Sequence, residues 1–483
     1  MNNNTNMKQN TNKQSYHRVI ETNTSKKDGQ HVCPNCGASD ITFSEKKGKL
    51  YCNYCASEFD GKKLNNIVTD LSNLEGTIIG SGAQNIKAEA KDIITLKCGG
   101  CGAEVVIDTK TTSQARCHWC RSILSINSRI ENGSIPDAIL PFSIKKEEAK
   151  KSIEDFVNKR RFFAHPKFKE EFTTENIMGV YFPYMLVDAR AHCYFDGEGE
   201  HLVRTYTIDD SRYYDATLHK ISRIFDITID NLTVESNKGR INKHDENQTN
   251  NIINSIMPFD TENCIEFRSN YLVGYTSEKR NISIPELDTA VGKQIKDIAR
   301  HAINQDLKYY NRGVKWSTEE IKVIGSQWLA IYLPVWLYSY HEKKDNESVI
   351  HYVAVNARTK ETMGSVPINK TRLFIVSAII EFILGAIGIF LFLSLAADSD
   401  SEGAFLPLLL LASGFVYYNA MYANYRNKEA RHSYEKETVN QITNLRKVDH
   451  YIKDLNRQSN SKMRGANNMK LEGENIKLNE IKK

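Results

Sequence analysis

Eight of the ten cysteines lie before residue 121, in four Cys-x-x-Cys pairs. Cys33-Pro-Asn-Cys36 is followed after fifteen residues by Cys52-Asn-Tyr-Cys55. Cys98-Gly-Gly-Cys101 is followed, again after fifteen, by Cys117-His-Trp-Cys120. Two pairs at this spacing place four thiolates around one tetrahedral ion: each pair makes a tight knuckle, and the residues between them form a hairpin that joins the knuckles. Gly37 and Gly102 directly follow the first knuckle of each unit, where a positive φ is often needed. Zinc suits four soft ligands, has no redox chemistry and keeps no open position when all four are protein. The spacing therefore predicts two structural zinc ions. One is held by Cys33, Cys36, Cys52 and Cys55, the other by Cys98, Cys101, Cys117 and Cys120. A catalytic dithiol would need one pair rather than four.

His118 stands between two ligands and reads as a satisfied surface imidazole. Trp119 and Tyr54 read as covers for the metal knuckles, with stacking on nucleic-acid bases as the alternative. Cys193 and Cys264 have no local partner and read as buried hydrophobes. Thirteen histidines include no His-Glu-x-x-His run, and the chain has no Gly-rich phosphate loop and no nucleophile elbow. The expectation is a protein that is not an enzyme.

The elements that must position these residues follow from pattern and composition. The chain has 483 residues, 40% hydrophobic and 25% charged, which suggests about three folded units. A net charge of +5 over this length gives no reason to assume nucleic-acid binding. Residues 1–30 are rich in Asn, Thr, Lys and Gln, lack an apolar run, and read as a disordered leader rather than a signal peptide. Zinc ribbons are expected at 31–60 and 96–126, with a spacer at 61–95. An α+β, mainly-β cytoplasmic domain is expected over 135–370. Within it Ser143 is a candidate N-cap for a helix burying Ala149, Ile153, Phe156 and Val157. A second helix is expected with Ser283 as cap, Pro285 in its first turn and Leu287, Val291, Ile295, Ile298 and Ala302 inward. Two segments look alike, Val180-Tyr-Phe-Pro-Tyr-Met-Leu186 and Ile331-Tyr-Leu-Pro-Val-Trp-Leu337. Each leads into a strand, ending near Gly199 and Gly364, as an internal duplication would.

Residues 373–397 carry a single charge, Glu381, and residues 404–423 carry none. Each stretch matches the roughly 20 residues that cross a bilayer as a helix. Gly385, Ala386 and Gly388 would let the two pack closely. Lys370, Arg372, Arg426, Lys428 and Arg431 flank the outer ends, and an acidic turn lies at 398–403. The positive-inside rule predicts a two-span transmembrane hairpin in the cell membrane, with both termini cytoplasmic. Glu381 is a functional candidate because a charge inside a span is costly. The alternative is that, nine residues in from the cytoplasmic end, a tilt or the hairpin neighbour keeps it wet. The tail 426–483, with 14 basic and 8 acidic residues, is expected as a basic cytoplasmic segment. The fold class expected is thus multidomain: two tandem four-cysteine zinc ribbons, an α+β, mainly-β cytoplasmic domain and a C-terminal transmembrane helical hairpin.

This constellation resembles the bacterial TFIIB-type zinc-ribbon membrane proteins, the YdjG-like group found beside phage-shock genes. The residues that carry the likeness are the doubled ribbons with Arg116-Cys-His-Trp-Cys-Arg121, Leu140-Pro-Phe142, Gly179-Val-Tyr-Phe-Pro-Tyr184 and Met257-Pro-Phe-Asp260. Tyr271-Leu-Val-Gly274, Leu333-Pro-Val-Trp336, Val355-Asn-Ala-Arg-Thr-Lys360 and Gly364-Ser-Val-Pro367 extend it. The resemblance implies a membrane-bound zinc protein that assembles partners in envelope stress or membrane organisation. The function expected is a membrane-anchored scaffold or adaptor, with the lipid bilayer and proteins as its partners. The alternative is a membrane-tethered nucleic-acid binder, for which Lys46, Lys47, Lys49, Lys110, Arg116 and Arg121 supply modest positive charge.

Overall fold

The computed structural model describes residues 17–20, 33, 35–36, 41–44, 47, 49–59, 71–84, 93–109, 115–125, 129–130, 135–208, 211–237, 256–304, 306–344, 347–396 and 406–426. The expected leader apart from 17–20, the acidic turn and the tail beyond 426 lie outside them. The strands, in chain order, are β1 (His17–Ile20), β2 (Ile41–Ser44), β3 (Lys49–Cys52), β4 (Glu58–Phe59), β5 (Gly76–Gly80), β6 (Ile93–Lys97), β7 (Glu104–Asp108) and β8 (Arg129–Ile130). They continue with β9 (Ala138–Ile139), β10 (Met178–Ile208), β11 (Ser211–Glu235), β12 (Ile265–Glu266), β13 (Thr276–Glu278), β14 (Gly313–Lys344), β15 (Glu347–Asn356) and β16 (Thr362–Gly364). The helices are α1 (Ser81–Gln84), α2 (Lys146–Asn158), α3 (Pro166–Glu171), α4 (Ile284–Ile303), α5 (Lys370–Ala396) and α6 (Ser413–Arg426).

Two long strands, β10 and β14, form the spine of a 13-stranded sheet. They run antiparallel from Met178↔Leu337 to Glu200↔Gly313. The two look-alike segments face one another here. Phe182, the third residue of one, opposes Leu333, the third of the other, so a local two-fold relates them. β9 runs parallel to β14 at Ile331 and Tyr332, as β13 does to β10 at Val180 and Tyr181. The order short strand, helix, long hairpin therefore occurs twice. β10 does not end near Gly199 but runs on to Ile208, where it meets β11.

Alternation along the strands decides the layers. Met185, Val187, Ala189, Ala191, Cys193 and Phe195 lie on one face and are covered by α4 through Leu287, Val291, Ile295, Ile298 and Ala299. In α4 the Glu286 carboxylate accepts the Ser283 backbone N–H at 2.9 Å, and Pro285 occupies the first turn. α2 buries Ala149, Ile153, Phe156 and Val157 but starts later than Ser143 suggested. The Ser143 hydroxyl donates instead to the Ala357 carbonyl at 3.1 Å, tying the approach to the helix onto the sheet.

The expected domain boundaries dissolve at the N-terminal side. β5, within the expected spacer, lies between β1 and β14, and β1 lies within the expected leader. The second cysteine block supplies β7, its flanks supply β6 and β8, and β7 pairs with β13 through Ser277↔Val106 and Glu278↔Val105. The physical reason is that edge strands left with open N–H and C=O groups recruit further strands. Only the first block keeps a sheet of its own, β2-β3-β4.

Asp137 locks the spacer to the core. Its buried carboxylate accepts the N–H groups of Gly82 at 2.7 Å, Ala83 at 3.0 Å and Ala330 at 2.8 Å. Arg280, whose burial pulls its pKa down to about 10 while Asp137 opposes that fall, donates to the Gly82 and Ile282 carbonyls. Asp137→Ala would strand these donors and a buried cation. We expect it to cost about 3 kcal/mol or more in denaturant-driven unfolding of the β domain.

β11 bulges at Asp230 and Asn231, two residues opposite Asp188 of β10, and Asn231 has φ 61°. The Asp188 carboxyl accepts the Asn231 N–H at 2.7 Å, and burial pushes its pKa up to about 7. A carboxyl whose pKa is raised on folding binds a proton more tightly in the folded state. Its contribution is therefore fully present below about pH 4 and is lost as pH rises to about 7, on the order of 4 kcal/mol in all. Asp188→Asn, neutral and still an acceptor, should flatten that decline, as unfolding titrations at pH 5 and pH 8 would show.

The C-terminal elements are two helices long and apolar enough to cross a membrane. α5 exposes large side chains such as Phe382 (79%) and Phe390 (72%). The second is not α-helical throughout: residues Leu406–Ala412 wind as a 3₁₀ helix before α6 begins. Gly388 allows the Pro407 carbonyl to approach, since a Cβ there would lie 2.6 Å from it.

Candidate metal centres

Both cysteine quartets assemble as their spacing predicts. In each, four sulfur atoms lie within 4.8 Å of one another. Cys33 Sγ is 3.6 Å from Cys55 Sγ, and Cys36 Sγ is 3.6 Å from Cys52 Sγ. The second quartet repeats this pairing, with Cys98–Cys120 at 3.4 Å and Cys101–Cys117 at 3.5 Å. A tetrahedron with metal–sulfur bonds of about 2.3 Å has edges of about 3.8 Å. A disulfide would need about 2.05 Å. The donor set fits one four-coordinate ion per quartet, and none of the ten cysteines is disulfide-bonded.

Local backbone geometry explains why these turns form. Cys98 N–H donates to the Ala103 carbonyl and Gly102 N–H to the Cys98 carbonyl, closing a loop around the sulfurs. Cys117 with Ser122 and Arg121, and Cys52 with Ser57 and Ala56, make the same two bonds. The residue after the second thiol is left-handed in all three knuckles: Ala56 (φ 56°), Gly102 (φ 76°) and Arg121 (φ 62°). Only one of these is glycine, so the closed loop imposes the strain on the other two. The quartets are offset by a constant 65 residues, from 33 to 98 and from 55 to 120, and the serine two places after the last thiol repeats as well.

Those serines face sulfur. Ser57 Oγ is 2.8 Å from Cys55 Sγ and 3.3 Å from Cys33 Sγ, and Ser122 Oγ is 3.2 Å from Cys120 Sγ. The Ser57 hydroxyl lowers the pKa of Cys33 and brings that of Cys55 down to about 6. At Cys55 the thiolate form that a metal needs is thereby favoured at neutral pH. Sequence reasoning missed these serines; their repetition at the same offset is the signal that could have found them.

The two centres differ in surroundings. The second knuckle is driven into the β domain. His118 is 1% exposed rather than at the surface, with Nε2 3.3 Å from Glu278 Oε1 and Nδ1 3.2 Å from Thr276 Oγ1. Trp119 Nε1 donates to the same Glu278 oxygen, and its ring packs edge-on to Tyr352 at 5.0 Å. Glu278 also accepts from Asn237 Nδ2 at 2.8 Å, and Ser339 Oγ donates to the His118 carbonyl at 2.6 Å. Arg121 lies over the Tyr338 ring at 4.6 Å and donates to the Ser339 carbonyl. Trp119 thus covers protein rather than presenting a face for a base. At the first centre Tyr54 is 82% exposed, whereas Cys33, Leu50 and Cys52 belong to the same buried cluster as Tyr271 and Leu272, and β2 lies against Ser269–Leu272. Cys193 and Cys264 are both fully buried, and burial pushes the Cys193 thiol up to about 12.

Fold and centres together define a chain in which paired four-cysteine sites are joined to a mainly-β sheet domain and two apolar helices. It is similar to a protein of Bacillus subtilis (strain 168) called Uncharacterized protein YdjG. The two are 25% identical over 355 residues, covering 70% of this chain and 90% of that one. No family model and no solved structure matches.

Proposed function

We propose that the protein is a membrane-anchored, zinc-stabilised adaptor that docks other proteins at the cytoplasmic face, in envelope stress or membrane organisation. One observation carries this reading: the second quartet is wedged into the β domain by His118 and Trp119, while the first, though seated on the core through Cys33, Leu50 and Cys52, leaves Tyr54 exposed. Four protein thiolates leave a zinc ion no open position, so each ion acts by holding its knuckles. α5 and the 406–426 segment serve as the bilayer anchor, and the positive charges at their outer ends support cytoplasmic termini.

The test is crosslinking of the intact chain in its own membranes, comparing wild type with Tyr54→Ala. Loss of most of the crosslinked partner with unchanged zinc content is expected. A partner retained both in the variant and after chelation overturns the reading. A nucleic-acid function is favoured by one feature, the exposed Tyr54 on a small sheet that also carries Lys47 and Lys49. It requires DNA affinity that falls steeply with salt, and no retardation at low salt removes it.

A further inference from the structure

The turn between α2 and α3 is built onto the base of the apolar helix pair. The Phe163 N–H donates to the buried Tyr425 hydroxyl at 2.9 Å, and the Asn369 N–H to the Phe163 carbonyl at 2.7 Å. Arg160 donates to the Asn424 carbonyl at 3.2 Å and to Asn424 Oδ1 at 3.1 Å. One short turn is thus pinned to Asn369, the residue just before α5, and to the last residues of α6.

The charge gathered there lacks compensation. Arg372 lies over the Phe162 ring at 4.2 Å, Arg161 is the next residue along the turn, and Lys169 stands on α3. Burial and the like charges of Arg372 and Arg161 lower the pKa of Lys169. Glu170 and Glu171 follow Lys169 along the chain, yet none of the three cations forms an ion pair among the described residues.

The helix start sharpens the contrast. Asn369 Oδ1 caps α5 by accepting the Arg372 N–H at 3.0 Å, and the first turn holds Lys370 and Arg372 with no acid. The N-terminal end of a helix is its positive end, where anions are favoured and cations are not. α2 and α4 obey that rule with Glu147, Glu148 and Glu286. α5 inverts it, just where its apolar surface begins at Phe374 and beside Phe162, which is 54% exposed.

We infer that Arg161, Lys169 and Arg372, with the α5 N-terminus, form a binding site for the phosphate of an anionic phospholipid headgroup, with Phe162 entering the acyl boundary beside it. The headgroup supplies the missing negative charge at the helix start, and the pinned turn holds the cations ready for it. The site rests on the bilayer-spanning reading of α5 and α6.

The test uses the full chain reconstituted in bilayers of phosphatidylcholine with spin-labelled phosphatidylglycerol or phosphatidylcholine as probe. Flotation with pure phosphatidylcholine vesicles reports the anchor by itself. Preferential immobilisation of phosphatidylglycerol is expected, falling by up to about fivefold for each of Arg161→Gln, Lys169→Gln and Arg372→Gln, from roughly 1 kcal/mol per basic residue at a membrane surface. Lys220→Gln and Lys315→Gln, on β11 and β14 away from the helix pair, should leave it unchanged. Flotation without a headgroup preference overturns the site and leaves the anchor standing, whereas failure to float removes both. A preference that millimolar inorganic phosphate abolishes would assign the site to a free anion and overturn the lipid assignment.

Discussion

Cys117→Ser should unfold much of the β domain near ordinary temperatures, whereas Cys33→Ser should leave that domain's transition nearly where it is. Both variants lose one of the two four-sulfur centres, so on the proposed zinc-bound reading the metal content should fall from two ions to one in each. Structural zinc contributes roughly 10–16 kcal/mol to folding its own knuckles at neutral pH. What differs is how much else depends on them. The Cys117–Cys120 knuckle presents His118 and Trp119 to Glu278 and Thr276, and Arg121 to Ser339 and Tyr338. Without the ion these contacts lose the loop that holds them, and Glu278 becomes a buried carboxylate short of donors. Its backbone belongs to β13, the link between β10 and β7, so the damage reaches the spine of the sheet. The first centre has no strand in that sheet. Metal analysis with thermal unfolding followed in the near-ultraviolet separates the cases. Equal losses of stability in the two variants would show that the second centre is no more integral than the first.

This asymmetry was not legible in the sequence, although the centres themselves were. Ligand spacing is local, and four soft side chains at fixed offsets suffice to specify a tetrahedral site. The role of His118 is not local, because its partner Glu278 lies 160 residues away. A histidine between two ligands looks the same whether its ring meets water or a carboxylate. The expected spacer failed for a similar reason. Gly76–Gly80 has little alternation to mark a strand, and its place is set by β14, about 250 residues on. Asp137, which fastens it, meets partners 55 and 193 residues distant. By contrast, α4 and the two apolar stretches were readable, since helical periodicity and uniform apolarity need no distant partner. The facing of Val180–Leu186 and Ile331–Leu337 lies between these extremes: their similarity was visible, but only pairing in register reveals the two-fold between them.

Glu381→Ala should destabilise the helix pair by about 2–4 kcal/mol, and Glu381→Gln should restore most of that loss. The winding changes at Ala412–Ser413, where the 3₁₀ segment ends and α6 begins. The first turn of an α-helix has backbone N–H groups without partners inside the helix, and in a bilayer no water replaces them. Glu381 Oε2 accepts the Gly414 N–H at 2.6 Å, so the acid on α5 caps α6 across the pair. Gly414 permits the approach, for a Cβ there would lie 2.4 Å from the Ser377 carbonyl and 2.7 Å from Glu381 Cβ. A glutamine keeps an acceptor oxygen at the same reach and removes the cost of charge, whereas alanine removes the acceptor and leaves the donor bare. Thermal unfolding in mild detergent, with Gly414→Val as a steric comparison, reads the difference. If glutamine proved as damaging as alanine, the ionised form itself would be required, and Glu381 would belong to a charge-carrying role rather than to the architecture of the pair. A rescued glutamine variant instead accounts for an acid among apolar residues by the break in the helix that it closes.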